Sequence, residues 1–338
     1  MRVLGLAKRI MLQLARDKRT LALIFIAPLF ILTLLSLIFD ADPYEPVTAI
    51  VAEEEMLGML EVPDDIDYLL IEEEAFSMLE DGELDGFLIL GSTPEFVVEG
   101  SDPTVNGAAM KELQGFMSTL NQSDVPAPTT QYLYGDSEMA MFDSFGPVLL
   151  GFFVFFFVFL ISGISFLRER TSGTLERLLA SPMKIWELVV GYVIGFGVVT
   201  ILQATFIAWF GIYVLDLYMT GDFFTVLLII LLLSFSALTL GILLSAFAQT
   251  ELQMMQFIPL IVIPQIFFSG LFNLETVSEW LQGIGLVTPL YYAADALRGV
   301  MIKGLSITDI GLELFILFCF SFVFILLNIA ALRKYRRI

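Results

Sequence analysis

Six long runs of apolar residues dominate the hydropathy pattern of the chain. A helix needs about 20 apolar residues to cross about 30 Å of hydrocarbon, and only helices and closed barrels satisfy every backbone polar group there. The fifth run is the shortest. Together the runs predict six transmembrane helices, at residues 21–39, 145–167, 188–215, 223–248, 257–272 and 310–332.

The first twenty residues have a helical pattern of a different kind. Apolar residues recur at intervals of three or four, so they share one face of a helix while basic residues lie on or near the other. Such a segment lies along an anionic lipid surface. A plain basic flank and a signal peptide are the alternatives. The sequence predicts an amphipathic interfacial helix over residues 1–20 that contacts membrane lipids, with Leu6, Ile10 and Leu14 on one face and Arg2, Arg9 and Arg16 on or near the other.

Residues 40–144 interrupt the apolar runs with the pattern of a small mixed domain. Short runs rich in β-branched and aromatic residues alternate with helical stretches. The strands are predicted at 47–52, 68–71, 86–90, 95–99 and 131–134, and the helices at 75–80 and 105–120. The expected fold class is therefore an all-α membrane protein of six transmembrane helices with a small α/β domain inserted between the first two.

Charge is distributed unevenly along the chain and predicts its orientation. Residues 40–144 contain most of the 37 acidic residues and a single base, Lys111. Basic residues gather instead in residues 1–20, in the loop 168–187 and at the C-terminus. Because loops rich in Lys and Arg stay in the cytoplasm, we expect a multi-pass protein of the cell membrane with both termini cytoplasmic and residues 40–144 extracellular.

Composition excludes several kinds of chemistry. The chain has no His and a single Cys, which rules out His-based triads, His-ligated metals and a disulfide within one chain. The predicted spans have no Asp, Glu, Lys or Arg at mid-membrane, which disfavours ion-coupled transport. The sequence also has no G-x-x-x-x-G-K-[ST] phosphate loop. We therefore expect no enzymatic activity and no cofactor in this chain, and any ATPase that drives it must be another polypeptide.

The loop 168–187 is the predicted contact with such a partner. Thr171 or Ser172 can cap a short helix, on which leucines form an apolar stripe, and Ser181-Pro182 ends it. A short amphipathic helix can occupy a groove on a soluble protein, whereas an ordinary basic loop is the alternative. The candidate coupling residues are Glu169, Arg170, Gly173, Thr174, Leu175, Glu176, Leu178, Leu179 and Pro182.

Two motifs carry a family resemblance. The run Glu169-Arg170-Thr171-Ser172-Gly173-Thr174-Leu175-Glu176, followed by Leu179 and Pro182, resembles the intracellular signature of ABC-2 type transporter permeases. Farther along, Phe268-Ser269-Gly270-Leu271-Phe272, Thr288-Pro289-Leu290-Tyr291-Tyr292 and Ala296-Leu297-Arg298-Gly299 resemble the region after the fifth span of that family. The inserted domain is also similar to that of larger members, so the resemblance covers nearly the whole chain.

The resemblance implies an exporter that works by alternating access. It implies a dimer of two copies or of this chain and a sibling permease, each bound to a nucleotide-binding subunit that holds ATP and Mg, with no role for nucleic acid. Residues 1–19 resemble the connecting helix, residues 169–182 the coupling helix, and residues 273–309 a re-entrant hairpin and outer loop. Gly270, Pro289, Tyr291 and Arg298 are the candidate residues of this re-entrant region.

The cargo is the least specified part of the prediction. The absence of mid-membrane charge favours a hydrophobic or amphiphilic substrate such as a drug, lipid or glycan-like molecule. Candidate residues of the translocation path are Phe152, Phe156, Phe159, Gln203 and Phe267. Lipid-facing packing explains the phenylalanines equally well, and interhelical packing explains Gln203. The rival function is a membrane sensor or scaffold whose outer domain binds a partner.

Overall fold

A computed structural model describes residues 2–39, 46–52, 66–69, 71–90, 94–98, 103–120, 141–271 and 283–335. The chain divides into two compact units. One comprises Met1–Asp40 and Tyr132–Ile338, and the other is Ala41–Gln131. The helices in chain order are α1 (Arg2–Arg16), α2 (Lys18–Phe39), α3 (Glu72–Glu80), α4 (Pro103–Leu120), α5 (Met141–Thr171), α6 (Thr174–Ala180), α7 (Ile185–Tyr213), α8 (Phe223–Ser245), α9 (Glu251–Leu271), α10 (Pro289–Met301) and α11 (Gly311–Tyr335).

Six of these helices are long and apolar enough to span a membrane. They are α2, α5, α7, α8, α9 and α11, and they form the first unit together with α1, α6 and α10. The second unit contains a small sheet. The predicted fold class, six membrane helices with an inserted α/β domain, is confirmed.

All six spans differ from the predicted ones by a few residues at one end or both, and two spans differ most. α5 continues past residue 167 to Thr171, so Glu169 and Arg170 belong to a helix and not to the following loop. The helix continues because its charged side chains find partners on neighbouring helices. α9 begins at Glu251 instead of residue 257, because Thr250 accepts a hydrogen bond from the amide of Gln253 and caps the helix.

Irregular turns characterise α9. It contains two π-helical turns, Ile258–Val262 and Phe267–Leu271. Pro259 and Pro264 have no amide hydrogen, so regular α-helical bonding cannot continue through them. Gly270 then adopts a left-handed conformation with φ 80°, and the helix breaks there.

The centre of the first unit is the crossing of α5 and α8. Glycines allow the two backbones to approach closely, since a Cβ on Gly241 would lie 2.5 Å from the carbonyl oxygen of Phe159. Polar contacts join α11 to α8, where Asn328 Nδ2 donates to the Thr239 carbonyl at 2.8 Å and the hydroxyls of Ser236 and Ser321 are 2.9 Å apart. Small residues and interhelical hydrogen bonds are the usual means of packing between membrane helices.

The second unit has a four-stranded sheet in the order β2-β1-β3-β4. The strands are β1 (Thr48–Val51), β2 (Ile66–Leu69), β3 (Gly86–Ile89) and β4 (Glu95–Val98). β1 is parallel to β2 and β3, and β4 is antiparallel to β3. The alternation of side chains in β1 places Ala49 and Val51 with α3 and Ile50 with α4, so one helix covers each face. The strand predicted at 131–134 lies outside the described residues.

Candidate functional site

The short helix α6 begins after a glycine turn instead of a side-chain cap. Gly173 has φ 71° and precedes Thr174 without a capping hydrogen bond. Thr171 and Ser172 donate their hydroxyl protons to the carbonyls of Arg168 and Glu169 at the end of α5. The predicted cap by either residue is therefore wrong. A Cβ at Gly173 would meet no atom within 4 Å, so the left-handed φ, and not lack of space, favours glycine here.

Glu169 lies at the junction of three helices and is buried, with 4% of its side chain exposed. Its Oε2 forms an ion pair with Arg9 of α1 and accepts a hydrogen bond of 3.0 Å from the hydroxyl of Tyr192 in α7. Tyr192 is fully buried and packs edge-on against Phe166 of α5. A carboxylate in such a position needs a charged partner because an unpaired buried charge is costly. Glu169 therefore joins α5 to α1 and α7.

Arg170, next to Glu169, connects α5 to the end of α8. Its Nη1 donates to the carbonyls of Ser245 at 2.8 Å and Ala246 at 2.7 Å, and its Nη2 donates to the carbonyl of Ala248. The last carbonyls of a helix have no partner within the helix. A cation is also favoured at this negative end of the helix dipole. Arg170 thus satisfies the C-terminus of α8.

Three residues that the sequence prediction did not select complete this end of the bundle. Arg168 Nε donates to Glu251 Oε1 of α9 at 2.7 Å, and its Nη1 lies 3.9 Å from Asp17 Oδ2. Asp17 Oδ1 also accepts from the amide of Thr20 and so caps α2. These pairs are exposed, and such pairs contribute little individually. The motif around residue 169 indicated a site here, but its partners are too distant in sequence to be recognised.

The exposed face of α6 is charged. Leu175 is buried against its own chain, and Leu178 and Leu179 are half-buried in the same core. The predicted apolar stripe therefore packs within this chain. Glu176 and Arg177 are exposed, and so is Pro182 just beyond the helix. The carbonyl of Pro182 accepts a hydrogen bond of 2.8 Å from Arg2, which brings the start of α1 next to α6.

The apolar face of α1 packs on α7 and not on lipid. Leu6, Ala7, Ile10 and Leu14 are buried, and glycines of α7 make room for them. A Cβ on Gly191 would lie 2.7 Å from Leu6, and one on Gly195 would lie 2.8 Å from Ile10. The helix was predicted correctly, but its apolar face has a protein partner. Arg2 and Arg16 on the other side are exposed, whereas Arg9 turns towards Glu169.

The predicted path residues have different surroundings among the described residues. Phe159 is fully buried and stacks on Phe155, while Phe152 and Phe156 are half-buried and stack on each other at 6.0 Å. Phe267 is half exposed. Gln203 is buried, and its Nε2 has no hydrogen-bond partner among the described residues. None of the four phenylalanines predicted for the path borders the small cavity that Gln203 lines.

Polar contacts join the break in α9 to α10. Arg298 Nη2 donates to the carbonyl of Ser269 at 2.6 Å, and its guanidinium lies against Gly270, where a Cβ would approach it to 2.6 Å. Burial lowers the pKa of Arg298. Pro289 occupies the first turn of α10, where its missing amide hydrogen costs nothing. Tyr291 packs edge-on against Tyr292 at 5.2 Å. The four predicted re-entrant residues therefore all lie at this break or on α10.

Comparison with known proteins relates nearly all of the chain to one family. The family model described as "ABC-2 family transporter protein" matches residues 18–330. The chain is 26% identical over 190 residues to ABC transporter G family member 20 of Dictyostelium discoideum, which is 56% of this chain and 26% of that protein. It is 25% identical over 162 residues to the probable multidrug ABC transporter permease YbhR of Escherichia coli K12, which is 48% of this chain and 44% of YbhR.

A third relative has a specific resistance function in its name. Over 217 residues the chain is 26% identical to the linearmycin resistance permease protein LnrN of Bacillus subtilis, which is 62% of this chain and 55% of LnrN. The chain thus spans between about a quarter and about half of the length of these curated relatives.

Proposed function

This chain belongs to the ABC-2 transporter family, and from that membership we propose that it is the permease subunit of an exporter driven by a separate ATPase. Its relatives include proteins named as ABC transporter permeases. The observation that carries the proposal is the position of Glu169, which joins three helices immediately before the exposed helix α6.

The contacts at the end of α5 support a mechanical role. α6 follows α5 after a turn of two residues, Ser172 and Gly173, so a push on α6 acts directly on the last turn of α5. Glu169 transmits that displacement to α1 and α7, and Arg170 transmits it to α8. A rigid connection of this kind lets one partner contact shift several spans together.

The exposed face of α6 is the proposed docking surface for the ATPase. The side chains of Glu176 and Arg177 form no hydrogen bond or ion pair with a described residue and are available to a partner. ATP and Mg are bound by that partner, whose closure moves α6. This chain contributes no catalytic group and binds no cofactor of its own.

Orientation, assembly and cargo complete the proposal. Both termini and α6 are cytoplasmic, and residues 40–144 are extracellular, as the distribution of basic residues favours. Two permease chains, identical or sibling, form the pathway and move a hydrophobic or amphiphilic molecule outward. The names of YbhR and LnrN, which refer to multidrug transport and antibiotic resistance, support such a cargo.

The decisive experiment asks for a bound ATPase. The chain is purified with the products of its neighbouring genes, and ATP-dependent uptake of a lipophilic dye is measured in inside-out vesicles. A double variant, Glu176→Arg with Arg177→Glu, should lose the bound ATPase and dye uptake without a change in thermal stability. Arg333→Glu, an exposed charge change on α11, is the control. Normal uptake by the double variant contradicts the docking role, and the lack of any bound ATPase favours a scaffold.

Labelling tests the orientation. Cys319 is the single cysteine, so Cys319→Ser provides a background for new cysteines. Glu73→Cys in α3 should react with a membrane-impermeant maleimide in intact cells. Arg177→Cys in α6 should react only after permeabilisation. Equal reactivity of both positions in intact cells would refute the proposed topology.

A further inference from the structure

A wide groove opens at the ends of α7 and α8 remote from α6. Its volume is about 740 Å³, and residues on either side of the connecting loop line it. Pockets that hold drug-sized molecules have volumes of about 300 to 1,000 Å³. The side chains that carry the argument are Tyr213, Asp216, Tyr218, Asp222, Phe223 and Phe224.

Aromatic rings form the apolar part of the groove. Tyr213 is 61% exposed and Phe224 is 75% exposed. The ring of Phe223 lies between them, 5.6 Å from Tyr213 and 5.9 Å from Phe224 between centroids. Such rings have a negative face that attracts an organic cation within about 6 Å.

Carboxylates give the groove a negative charge. Asp216 is exposed and forms no hydrogen bond or ion pair with a described residue. Asp222 uses Oδ2 to accept from the amide and hydroxyl of Thr225, while its Oδ1 has no hydrogen bond to a described residue. No basic side chain of the described residues lines the groove. The charge therefore complements a cation.

The loop that shapes the groove is held in place before any ligand binds. Leu217 fills the space above two glycines, since a Cβ on Gly146 would lie 2.2 Å from it and one on Gly211 would lie 3.3 Å from it. Thr220 donates to the carbonyl of Met301 at 2.9 Å, and Asp143 accepts from the amide of Tyr218 at 2.8 Å. A preformed site avoids part of the ordering cost of binding.

We propose that this groove binds an amphiphile that carries an ammonium group, with the cation near Asp216 and Asp222 and its apolar body on the rings of Tyr213, Phe223 and Phe224. The inference rests on the proposed function only where it names the substrate class of the exporter. Binding itself requires no ATPase. A soluble cationic amphiphile and the choline headgroup of a lipid share this chemistry.

The test measures binding to the full chain in nanodiscs. Radiolabelled benzyldimethyldodecylammonium is the probe, the lipid is phosphatidylglycerol, and binding to empty discs is subtracted. Asp216→Asn should weaken saturable binding about fivefold, and Phe224→Leu, which keeps an apolar side chain but removes the ring, about threefold. Asp309→Asn is the control, because this exposed carboxylate accepts from Ser306 and does not line the groove.

A second lipid separates the two sources of the ligand. In phosphatidylcholine discs, a choline headgroup that occupies the groove would reduce wild-type affinity for the probe to the level of Asp216→Asn. If a soluble amphiphile is the ligand, the difference between the two proteins persists. Equal saturable binding by wild type and Asp216→Asn in phosphatidylglycerol, or no saturable binding, overturns the proposal and leaves the rings as membrane anchors. If the chain binds the probe saturably but no ATPase ever copurifies with it, the groove remains a binding site and only the exporter role is refuted.

Discussion

Two arginines complete helix ends in this protein, and their surroundings differ. Arg170 donates to three carbonyls at the end of α8 and follows Glu169, which pairs with Arg9 and Tyr192. Among the described residues, Arg298 donates to one carbonyl at the break in α9, and no carboxylate lies within ion-pair distance of it. Several charged contacts hold the first region, whereas among the described residues the second has one charged donor, Arg298, and a longer hydrogen bond of 3.4 Å from the amide of Leu290 to Gln265 Oε1. We therefore expect the α6 end to move as a unit and the break in α9 to change shape.

The largest predicted loss of stability follows from Arg170→Met. It leaves three carbonyls without their charged donor, and we expect the free energy of unfolding to fall by about 3 kcal/mol. Denaturation in detergent micelles measures this loss. Arg177→Met removes an exposed arginine of α6 and is the control. A loss no greater than that of the control would show that water can replace Arg170 as the donor to these carbonyls. The α6 end would then be held no more firmly than the break in α9.

Gly195→Ala tests whether α1 is part of the tightly joined region. The added Cβ would lie 2.8 Å from Ile10, and we expect a loss of about 2 kcal/mol through overpacking. Gly5→Ala adds the same group on α1 where no atom lies within 4 Å, and it should not destabilise. The same denaturation assay compares the two. Equal stability of both variants would mean that α1 can move away from α7 to accommodate the added methyl group, so that α1 is not tightly packed on α7.

Arg298→Met should lower the free energy of unfolding by about 1.5 kcal/mol, which is less than the loss expected for Arg170→Met. The substitution removes one hydrogen bond, but it also removes the cost of burying a charge. Arg333→Met on α11 is the exposed control. Proteolysis at the break in α9 should accelerate in Arg298→Met and not in the control. A loss as large as that of Arg170→Met would show that both regions are held equally.

Tyr192→Phe should have the smallest effect, about 1 kcal/mol, since Glu169 keeps its ion pair with Arg9 when the hydroxyl is removed. Tyr213→Phe removes a hydroxyl from an exposed tyrosine and serves as the control in the same assay. A loss of several kcal/mol would instead make the tyrosine the main partner of Glu169.

The spans and the inserted sheet were predictable because they depend on local properties. Twenty apolar residues have to cross the membrane wherever they lie in a chain, and alternation within a short run indicates a strand. The start of α6 was harder to predict. Thr171 and Ser172 are residue types that often cap a helix, but here their hydroxyls donate hydrogen bonds to carbonyls of the preceding helix, α5. The left-handed turn at Gly173 then separates α5 from α6.

Partners across the chain could not be predicted. The apolar face of α1 has the same spacing whether lipid or protein covers it. Gly191 and Gly195, four residues apart, are the signal from which a close helix contact could have been predicted. Glu169 and Arg9 are 160 residues apart, so their pairing depends on the folded bundle. The partner of Leu175 could not be predicted either, because the apolar stripe on α6 does not show whether its own chain or another protein buries it.

The ion pair between Arg9 and Glu169 is the central mechanical link of this account, and a charge exchange tests it most directly. Dye transported per ATP hydrolysed is measured for Glu169→Arg and for the double variant Arg9→Glu with Glu169→Arg, both with the ATPase bound. We expect the amount of dye transported per ATP to fall about tenfold in the single variant. The double variant should recover most of that loss, because the effects of substitutions at two residues in contact are not additive. Unchanged coupling in the single variant, or no recovery in a folded double variant, would contradict the account.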